Sequence, residues 1–340
     1  MAHEITQHDG LALNRIPAWH SLGTVIPQDF TPRQGLALSG LENADIIQCP
    51  LFAKLPDGSM IEVPTNVLNY RLDTQDQFKV VSSEYRIITN EETADFCEAL
   101  AGESKSVMCE SVGSVQGGRR VWFLLKGEAF QVAKADEIFP YILVSNGHDG
   151  SSPFRVTPTT VRVVCSNTLH AVIPRNEDGT FGQSAFMMKH TTNIKERIEE
   201  ARNALLHYQQ TLVETKSIIN SLASKLVKQA DIDQFFIEAY QKNFGPIPKN
   251  PQDKKEERAR EKAKSAYHSF SRRFDDEIHL TGPTLWGCFN GFSGIVQHEM
   301  KGRGKDDANR VENRIKSNLF GLNADRTIAA LNTAYRMSAS

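Results

Sequence analysis

Hydrophobic and polar positions divide the 340-residue chain into a first part of short apolar runs and a second part with helical spacing. In the first part, apolar runs alternate with turn residues, which predicts β-strands. The predicted strands are Val67–Arg71, Lys79–Val81, Val107–Val115, Val121–Leu125, Tyr141–Val144 and Val161–Cys165. A helix capped by Thr89 and ending near Leu100 lies between the second and third strands. This order predicts an α+β fold with a mainly antiparallel sheet and packed helices.

The clearest predicted element is a β-hairpin with a cationic tip. Its strands are Val107–Val115 and Val121–Leu125, and residues 116–120 form the connection. The Gly117-Gly118 pair supplies the positive φ angles that a tight turn requires. Arg119 and Arg120 follow directly, so the hairpin presents two guanidinium groups beside its turn.

Residues 1–60 are rich in Pro and Gly, which predicts an irregular segment. The exception is a short helix near residue 32. Thr31 is its predicted N-cap, and Pro32 occupies the first helical position, where a missing N–H group does no harm.

Beyond His190 the apolar residues step alternately by four and three positions, which predicts one long helix with a heptad-like seam. This seam could pack on the sheet, pair with a second helix or meet another subunit. Its residues are Ile194, Ile198, Ala201, Leu205, Tyr208, Leu212, Thr215, Ile219, Leu222 and Leu226. Further helices are predicted around 235–240, over 254–273, over 284–300 and near the C-terminus.

These patterns predict four segments. Residues 1–190 form the α+β sheet domain, and residues 191–244 form long helices that pack on it or assemble. Residues 245–253 are a Pro-rich linker, because prolines end helices and stiffen connections. Residues 254–340 form a basic helical region.

Composition excludes several classes of protein. The chain is 40% hydrophobic and 24% charged, as in globular proteins, and it contains no apolar run of about 18 residues. The polar, acidic N-terminus does not resemble a signal peptide. Five scattered cysteines without a CxxC pair favour a reducing cytoplasm over a disulfide framework or a structural zinc. No Walker, GxGxxG, HExxH or nucleophile-elbow motif is present, so we expect no cofactor and no membrane partner, and an enzyme is the less favoured class.

Charge is distributed unevenly along the chain. Residues 1–188 contain 14 Lys and Arg against 22 Asp and Glu, and the remainder contains 25 against 19. The predicted helix over 254–273 contains eight Lys and Arg residues but only three Glu residues. This asymmetry indicates either a contact with a polyanion or solvated helix faces that are basic by chance.

Short motifs spread over nearly the whole chain carry a family resemblance. They are Ala18–Thr24, Gly118–Trp122, Asn146–Ser151, Arg162–Leu169, Lys189–Thr191, Leu285–Gly291 and Gln297–His298. Together they resemble the phage/plasmid-like protein family known as domain of unknown function family 932. The resemblance implies a protein carried by prophages, phages or plasmids, and it implies no particular reaction.

The basic residues near the predicted hairpin favour binding to nucleic acid. Arginine suits this role because its planar guanidinium group bonds two phosphate oxygens at once. The candidate contacts are Arg119, Arg120, Lys126, Arg155, Arg162, Asn167, Arg175, Lys189 and Lys195. A sheet with a basic hairpin, backed by helices, is also similar in outline to Rad52-like single-strand annealing proteins.

The polar block from Asn146 to His170 allows two interpretations. His148, Asp149, His170 and His190 could converge on a metal ion or act in hydrolysis, although their spacing fits no metal motif. Alternatively, His148-Asp149-Gly150 forms a turn in which Asp149 binds backbone groups and Gly150 has positive φ. The turn is the favoured interpretation, so no metal site and no catalytic residue are assigned.

The resulting hypothesis is a mobile-element accessory protein that binds DNA, with single-stranded DNA favoured, and promotes annealing or recombination as a homo-oligomer. One alternative is a protein-binding inhibitor of a host defence system. Another is a metal-dependent nuclease or hydrolase that uses His148, Asp149, His170 and His190.

Overall fold

A computed structural model of the chain describes most of its residues. The described residues are 11–13, 24–26, 29–103, 107–132, 136–162, 168–169, 172–175, 181–183, 186–188, 190, 194–300, 304–306, 310, 313–314, 317–318 and 321–339.

The described strands are β1 (Leu11–Leu13), β2 (Thr24–Val25), β3 (Ile46–Lys54), β4 (Met60–Arg71), β5 (Asp76–Ser82), β6 (Met108–Val115), β7 (Arg120–Lys126), β8 (Phe130–Val132), β9 (Asp136–Gly147), β10 (Phe154–Arg162), β11 (Thr168–Leu169), β12 (Val172–Arg175), β13 (Phe181–Gln183) and β14 (Phe186–Met188). The described helices are α1 (Pro32–Leu38), α2 (Asn90–Glu103), α3 (Ile194–Ser224), α4 (Gln229–Phe244), α5 (Lys254–Thr281), α6 (Leu285–Gly294), a π-helical segment (Ile295–Glu299) and α7 (Leu322–Ser338). None of the helices in this part of the chain combines the length and the apolar character needed to cross a bilayer.

The main sheet has the order β11-β10-β9-β7-β6-β1-β2, with β8 paired to β9 and β14 paired to β10. Its four central strands, β6, β7, β9 and β10, are antiparallel, and among the described strands only β1 and β2 pair in parallel. The helical region follows the sheet in the chain. The prediction of an α+β fold with a mainly antiparallel sheet, followed by a helical region with one long helix, is therefore confirmed.

Local sequence signals account for several element boundaries. The β6–β7 turn has φ angles of 60° at Gln116, 67° at Gly117 and 85° at Gly118, so the predicted glycine turn is confirmed. Thr31 caps α1 in a capping box with Gln34. At the start of α2, the Glu92 backbone N–H donates to Thr89 Oγ1, and the Thr89 backbone N–H donates to Glu92 Oε2. Both predicted helix starts are confirmed.

The interpretation of residues 1–60 as irregular is wrong for β3, which pairs with β4 in a second sheet of order β3-β4-β5. Pro50 lies in β3 and obscured the strand pattern, because proline is tolerated only at sheet edges. β5 pairs only with the Asn66–Arg71 part of β4. The outer part of the β3–β4 hairpin therefore projects as a two-stranded arm, on which Phe52 is 53% exposed and Met60 57% exposed.

Two apolar cores stabilise the molecule. The first core packs α1 and α2 against the main sheet, with Phe96, Phe123 and Phe154 among its buried residues. The second core lies in the helical region and includes Phe235, Phe270 and Phe292. Because burying apolar surface is the dominant favourable contribution to folding, these aromatic clusters fix the relative positions of their elements.

α3 contributes to both cores. Ala204 is buried in the first core and Leu212 packs against it, whereas Ile219 and Leu222 are fully buried in the second core. The seam residues Leu212, Ile219 and Leu222 therefore pack against other parts of the same chain, which is one of the arrangements that the sequence left open. The predicted seam is wrong at Leu226, which lies beyond the end of α3 and is 70% exposed. The predicted segment boundaries at 190 and 245–253 stay predictions, but α3 is integral to both cores.

α5 and α6 approach each other closely because α6 carries glycines on the facing side. A Cβ atom on Gly287 would lie 2.8 Å from Thr281 Oγ1, and one on Gly294 would lie 2.7 Å from Arg273 Nη1. Beside them, the indole N–H of Trp286 donates to Asp136 Oδ2 at 2.7 Å, and both side chains are buried. The motif Leu285–Gly291 thus serves the packing of the helical region on the sheet.

Candidate nucleic-acid interface

Arg71, on β4, holds the cationic hairpin tip in place. Its Nε and Nη2 atoms both bond the Asp73 carboxylate at 2.8 Å, and its Nη1 atom donates to the Gly117 carbonyl oxygen at 2.9 Å. The side chain is buried, and paired carboxylate contacts of this kind keep a guanidinium group in a fixed orientation. The hairpin tip is therefore anchored on the smaller sheet.

The two arginines of the hairpin have different surroundings. The Nη2 atom of Arg119 donates to the Gln77 carbonyl oxygen at 2.7 Å, and its guanidinium carbon lies 5.1 Å from the centre of the Phe78 ring. Arg120 donates to the Ser152 hydroxyl group. Burial, with a contribution from the Arg155 charge, lowers the pKa of Arg120, and the Asp149 carboxylate opposes this shift.

The turn after β9 has the predicted conformation. Asp149 Oδ1 accepts hydrogen bonds from the Ser151 backbone N–H at 2.9 Å and the Ser151 hydroxyl at 2.5 Å, and Gly150 has a φ of 68°. Burial tends to raise the pKa of Asp149, but the Ser151 hydrogen bonds and the Lys79 and Arg120 charges leave it below its usual value. The interpretation of this motif as a turn is confirmed.

His148 has no exposed surface and forms part of a buried polar network. Its Nε2 atom lies 3.0 Å from Asn90 Oδ1, and its carbonyl oxygen accepts a hydrogen bond from Asn69 Nδ2 at 2.7 Å. Because Asn90 Nδ2 donates to the Leu41 carbonyl, Asn90 Oδ1 is an acceptor, which assigns the proton to His148 Nε2. Burial, reinforced by the His190 and Arg71 charges, lowers the pKa of His148 to about 3, so the ring is neutral at ordinary pH.

Asn146 has a structural role in the same network. Its side-chain amide donates to the Ile88 carbonyl oxygen at 2.7 Å and contacts Thr93 Oγ1 at 3.2 Å. These bonds tie β9 to the start of α2. The Asn146 amide nitrogen is therefore used within the fold.

A cleft of about 520 Å³ lies between β5 and this turn, with Tyr85 and His190 in its wall. The two rings stack with centroids 4.6 Å apart, and His190 Nδ1 lies 3.2 Å from the Arg86 carbonyl oxygen. The Tyr85 hydroxyl donates to the Gly147 carbonyl at 2.8 Å, and burial raises its pKa. The remaining lining residues are Lys79, Val80, Val81, Ser82, Glu84, Asp149, Gly150, Ser152 and Pro153.

Lys79 lines this cleft, Arg120 contacts the lining residue Ser152, and Arg119 contacts β5 at Gln77. With Arg155, these cations define what we call the hairpin face. Lys79 and Arg120 both stabilise the Asp149 charge, and Arg155 is close enough to Arg120 to lower its pKa. Within the described part of the chain, the Arg155 side chain makes no hydrogen bond or ion pair. The fold thus brings together the basic residues of three separate strands.

The other predicted contact residues are more dispersed. Lys126 Nζ lies 3.6 Å from Glu110 Oε2 and 3.4 Å from the centre of the Phe139 ring. Its charge is therefore already paired on the surface of the sheet. Arg162, Arg175 and Lys195 lie in β10, β12 and α3. Three further candidates lie outside the described residues: Asn167, His170 and Lys189.

The described residues contain no group of three His, Cys, Asp or Glu side chains arranged to hold a metal ion. The Asp149 carboxylate accepts a hydrogen bond from the Ser151 backbone N–H, and His148 Nε2 is hydrogen-bonded to Asn90 Oδ1. The hydrolase hypothesis also depends on His170, so it stays a prediction.

A second basic surface, which we call the helical cleft, lies between the end of α4 and the first half of α5. It encloses about 730 Å³ and is lined by Tyr240, Phe244, Lys254, Lys255, Arg258, Ala259 and Lys262. The sequence indicated the positive charge of α5. It did not indicate the aromatic floor formed by Tyr240 and Phe244 of α4, because the Pro-rich segment separates the two helices along the chain. Their approach depends on Phe236 and Phe270, whose ring centroids lie 5.3 Å apart.

Together these features define an α+β protein in which the cationic tip of a main-sheet hairpin is anchored on the β3-β4-β5 sheet, and in which a helical region carries a basic cleft. A family model described as "Domain of unknown function (DUF932)" matches residues 77–318, and the chain belongs to this family. The resemblance predicted from the motifs is confirmed. No curated protein and no solved structure matches the chain.

Proposed function

We propose that this protein binds DNA, with single-stranded DNA as the preferred partner, and that it serves a phage or plasmid as an accessory factor in annealing or recombination. The observation that carries the proposal is the charge of the hairpin face. Lys79 lines the cleft together with two carboxylates, Asp149 and Glu84, and Arg119, Arg120 and Arg155 add three further positive charges on the adjoining turn and strands. The excess of positive charge favours a phosphate backbone, whose binding releases condensed counterions.

The geometry of the hairpin face supports contacts with phosphate. Arg119 uses one of its five N–H groups for the Gln77 carbonyl, and Arg120 places its guanidinium group beside the Ser152 hydroxyl. Such arginine and hydroxyl donors position a nucleic-acid backbone without reading its sequence. We therefore expect binding with little dependence on base sequence.

Fluorescence anisotropy with labelled single-stranded and duplex DNA, measured over a range of salt concentrations, tests this proposal. We use the double variant Lys79→Gln/Arg155→Gln, since within the described chain neither side chain makes a hydrogen bond or an ion pair. We expect the slope of log K against log salt to fall by about 1.4, because each lost phosphate contact to a single strand removes about 0.7.

The matched control is Lys54→Gln/Lys225→Gln, which removes the same charge from two exposed lysines outside the hairpin face. This control should bind like the unaltered protein. If the unaltered protein shows no salt-sensitive binding to either form of DNA, the proposal is wrong.

Annealing is tested separately with two complementary labelled strands whose pairing is followed by energy transfer. We expect the protein to accelerate pairing and to form a homo-oligomer on single-stranded DNA. Sedimentation with and without the oligonucleotide measures that assembly. A protein that binds DNA but leaves the pairing rate unchanged would be a binding protein without annealing activity.

The exposed arm favours a second candidate function, the binding of a host defence protein. Phe52 and Met60 are each about half exposed on the same face of the arm, and neighbouring exposed apolar groups mark protein contacts. The variant Phe52→Ser/Met60→Ser should lose a host protein identified by cross-linking while it retains DNA binding. Undiminished cross-linking of the same protein to the variant argues against this function.

A further inference from the structure

The helical cleft differs from the hairpin face in both composition and position. Its floor is apolar, formed by Tyr240 and Phe244, whose ring centroids lie 4.9 Å apart. Its rim is cationic, formed by Lys254, Lys255, Arg258 and Lys262. Its described lining contains no acidic residue, whereas Asp149 and Glu84 both line the cleft of the hairpin face.

The four rim cations lack partners within the described part of the chain, where none of them makes an ion pair or a side-chain hydrogen bond. Three other cations of α5 do have partners. Lys264 pairs with Glu261 at 2.9 Å, and Arg272 and Arg273 both pair with Glu299 at 2.9 and 2.7 Å. The helix therefore pairs these three charges with carboxylates and leaves the four charges at the cleft without an ion pair in the described chain.

The spacing of these cations gives a stripe of one sign. Lys254, Arg258 and Lys262 follow one another at intervals of four residues, which places them on the same face of α5. Like charges at this interval repel each other and weaken the helix. The stripe thus opposes folding, and a bound anion would remove that repulsion.

The aromatic floor distinguishes single-stranded nucleic acid from other anions. The guanidinium group of Arg326 lies over the Phe244 ring, 4.7 Å from its centre, and holds this ring in the floor of the cleft. Unpaired bases stack on such rings in proteins that bind single strands, while basic residues follow the backbone. The volume of the cleft is about 730 Å³, whereas a single water molecule occupies about 30 Å³. The cleft therefore has room for a ligand much larger than one phosphate group.

We infer that the helical cleft binds single-stranded nucleic acid, with its rim cations on the phosphates and a base against its aromatic floor, as a contact separate from the hairpin face. This inference rests on the proposed function. Two separate contacts on one chain would hold either two segments of one strand or two different strands.

The test compares salt-dependent binding of a labelled oligodeoxythymidylate by full-length variants. The cleft variant is Lys254→Gln/Arg258→Gln/Lys262→Gln, and its matched control is Lys54→Gln/Lys225→Gln/Lys305→Gln, which removes three exposed cations outside α5. We expect the cleft variant to lower the slope of log K against log salt by about 2, because three single-strand contacts of about 0.7 each are lost. The control should keep the slope of the unaltered protein, and the thermal unfolding midpoint of the cleft variant should not decrease.

The outcomes separate the two claims. If the unaltered protein binds the oligonucleotide and the cleft variant keeps the same slope as the control, the cleft inference is overturned and the proposed function stands. If the unaltered protein binds no nucleic acid, the proposed function fails and the inference fails with it. If the cleft variant loses binding to anionic phospholipid vesicles but not to the oligonucleotide, the cleft serves a membrane surface and the inference is overturned.

Discussion

His148 is bonded from several directions, and its complete burial explains why its imidazole ring stays neutral. Asn90 contacts Nε2, Asn69 donates to its carbonyl oxygen, and its backbone N–H donates to the Arg119 carbonyl at 2.8 Å. A charged ring in this environment would lose its hydration, and the attraction of the Asp149 carboxylate offsets only part of that cost. The residue joins α2, β4 and the hairpin tip.

The stability of the protein should therefore depend on pH through His148. The pKa is about 3 in the folded state, whereas an unperturbed histidine has a pKa of about 6.5. Below about pH 6.5 the unfolded chain binds a proton that the folded chain does not, so stability present at neutral pH is lost as the pH falls toward 3. We expect a loss of about 2 kcal/mol between about pH 6.5 and about pH 5, measured by urea unfolding.

The variant His148→Gln should be less stable at neutral pH but should lack this acid-dependent loss. His268→Gln is the control, because His268 is exposed on α5 and should leave the pH dependence unchanged. A His148→Gln protein that still loses about 2 kcal/mol over the same interval would contradict the assignment.

Gly118 is required by both its backbone and its surroundings. Its φ is 85°, and an added Cβ atom would lie 2.7 Å from Arg71 Nη1. We expect Gly118→Ala to cost roughly 1–3 kcal/mol in urea unfolding, because strained positive-φ positions carry penalties of that size. Gly102→Ala is the control, since Gly102 lies in α2 with nothing within 4 Å of its Cβ position. The prediction is wrong if both variants change stability by the same amount.

At the scale of elements, α5 combines paired and unpaired charge. Each like-charged pair at an interval of four residues weakens a helix by roughly 0.2–0.5 kcal/mol. The variant Lys254→Gln/Arg258→Gln/Lys262→Gln should therefore be up to about 1 kcal/mol more stable than the unaltered protein. Urea unfolding of the cleft variant and of Lys264→Gln, which breaks the pair with Glu261, tests this expectation. A less stable cleft variant would indicate that the stripe supports the fold.

Elements whose signals are local could be predicted from the sequence. The start of α1 at Thr31, the glycine turn between β6 and β7, and the turn at Asp149 each depend on residues within a few positions. Contacts between distant residues could not be predicted. The bond between Trp286 and Asp136 spans 150 positions, and the aromatic floor of the helical cleft appears only when α4 and α5 pack together.

The whole molecule is joined by a few contacts between the sheet and the helical region. Trp286 donates to the buried carboxylate of Asp136, and Val132 and Ile138 of the sheet lie in the core of the helical region. These contacts favour cooperative unfolding of the two parts, because neither core is complete without the other.

Removing the indole N–H tests this coupling. We expect Trp286→Phe to lower the free energy of unfolding by roughly 2–3 kcal/mol, because hydrogen bonds to charged groups contribute about 1.5–3 kcal/mol. Trp122→Phe is the control, since Trp122 is also buried but makes no side-chain hydrogen bond within the described chain. Circular dichroism of both variants during urea unfolding measures the difference, and equal losses would contradict the prediction.

Because α3 contributes buried residues to both cores, it limits where residues can be inserted into the chain or deleted from it. The helix has 31 residues and is about 46 Å long, and it supplies Ala204 to one core and Leu222 to the other. Inserting one residue between these positions would rotate one half by about 100° relative to the other, so one core would receive polar side chains. The length of α3 therefore fixes the rotation of its Ala204 face relative to its Leu222 face. We expect natural insertions and deletions to fall in loops outside this helix.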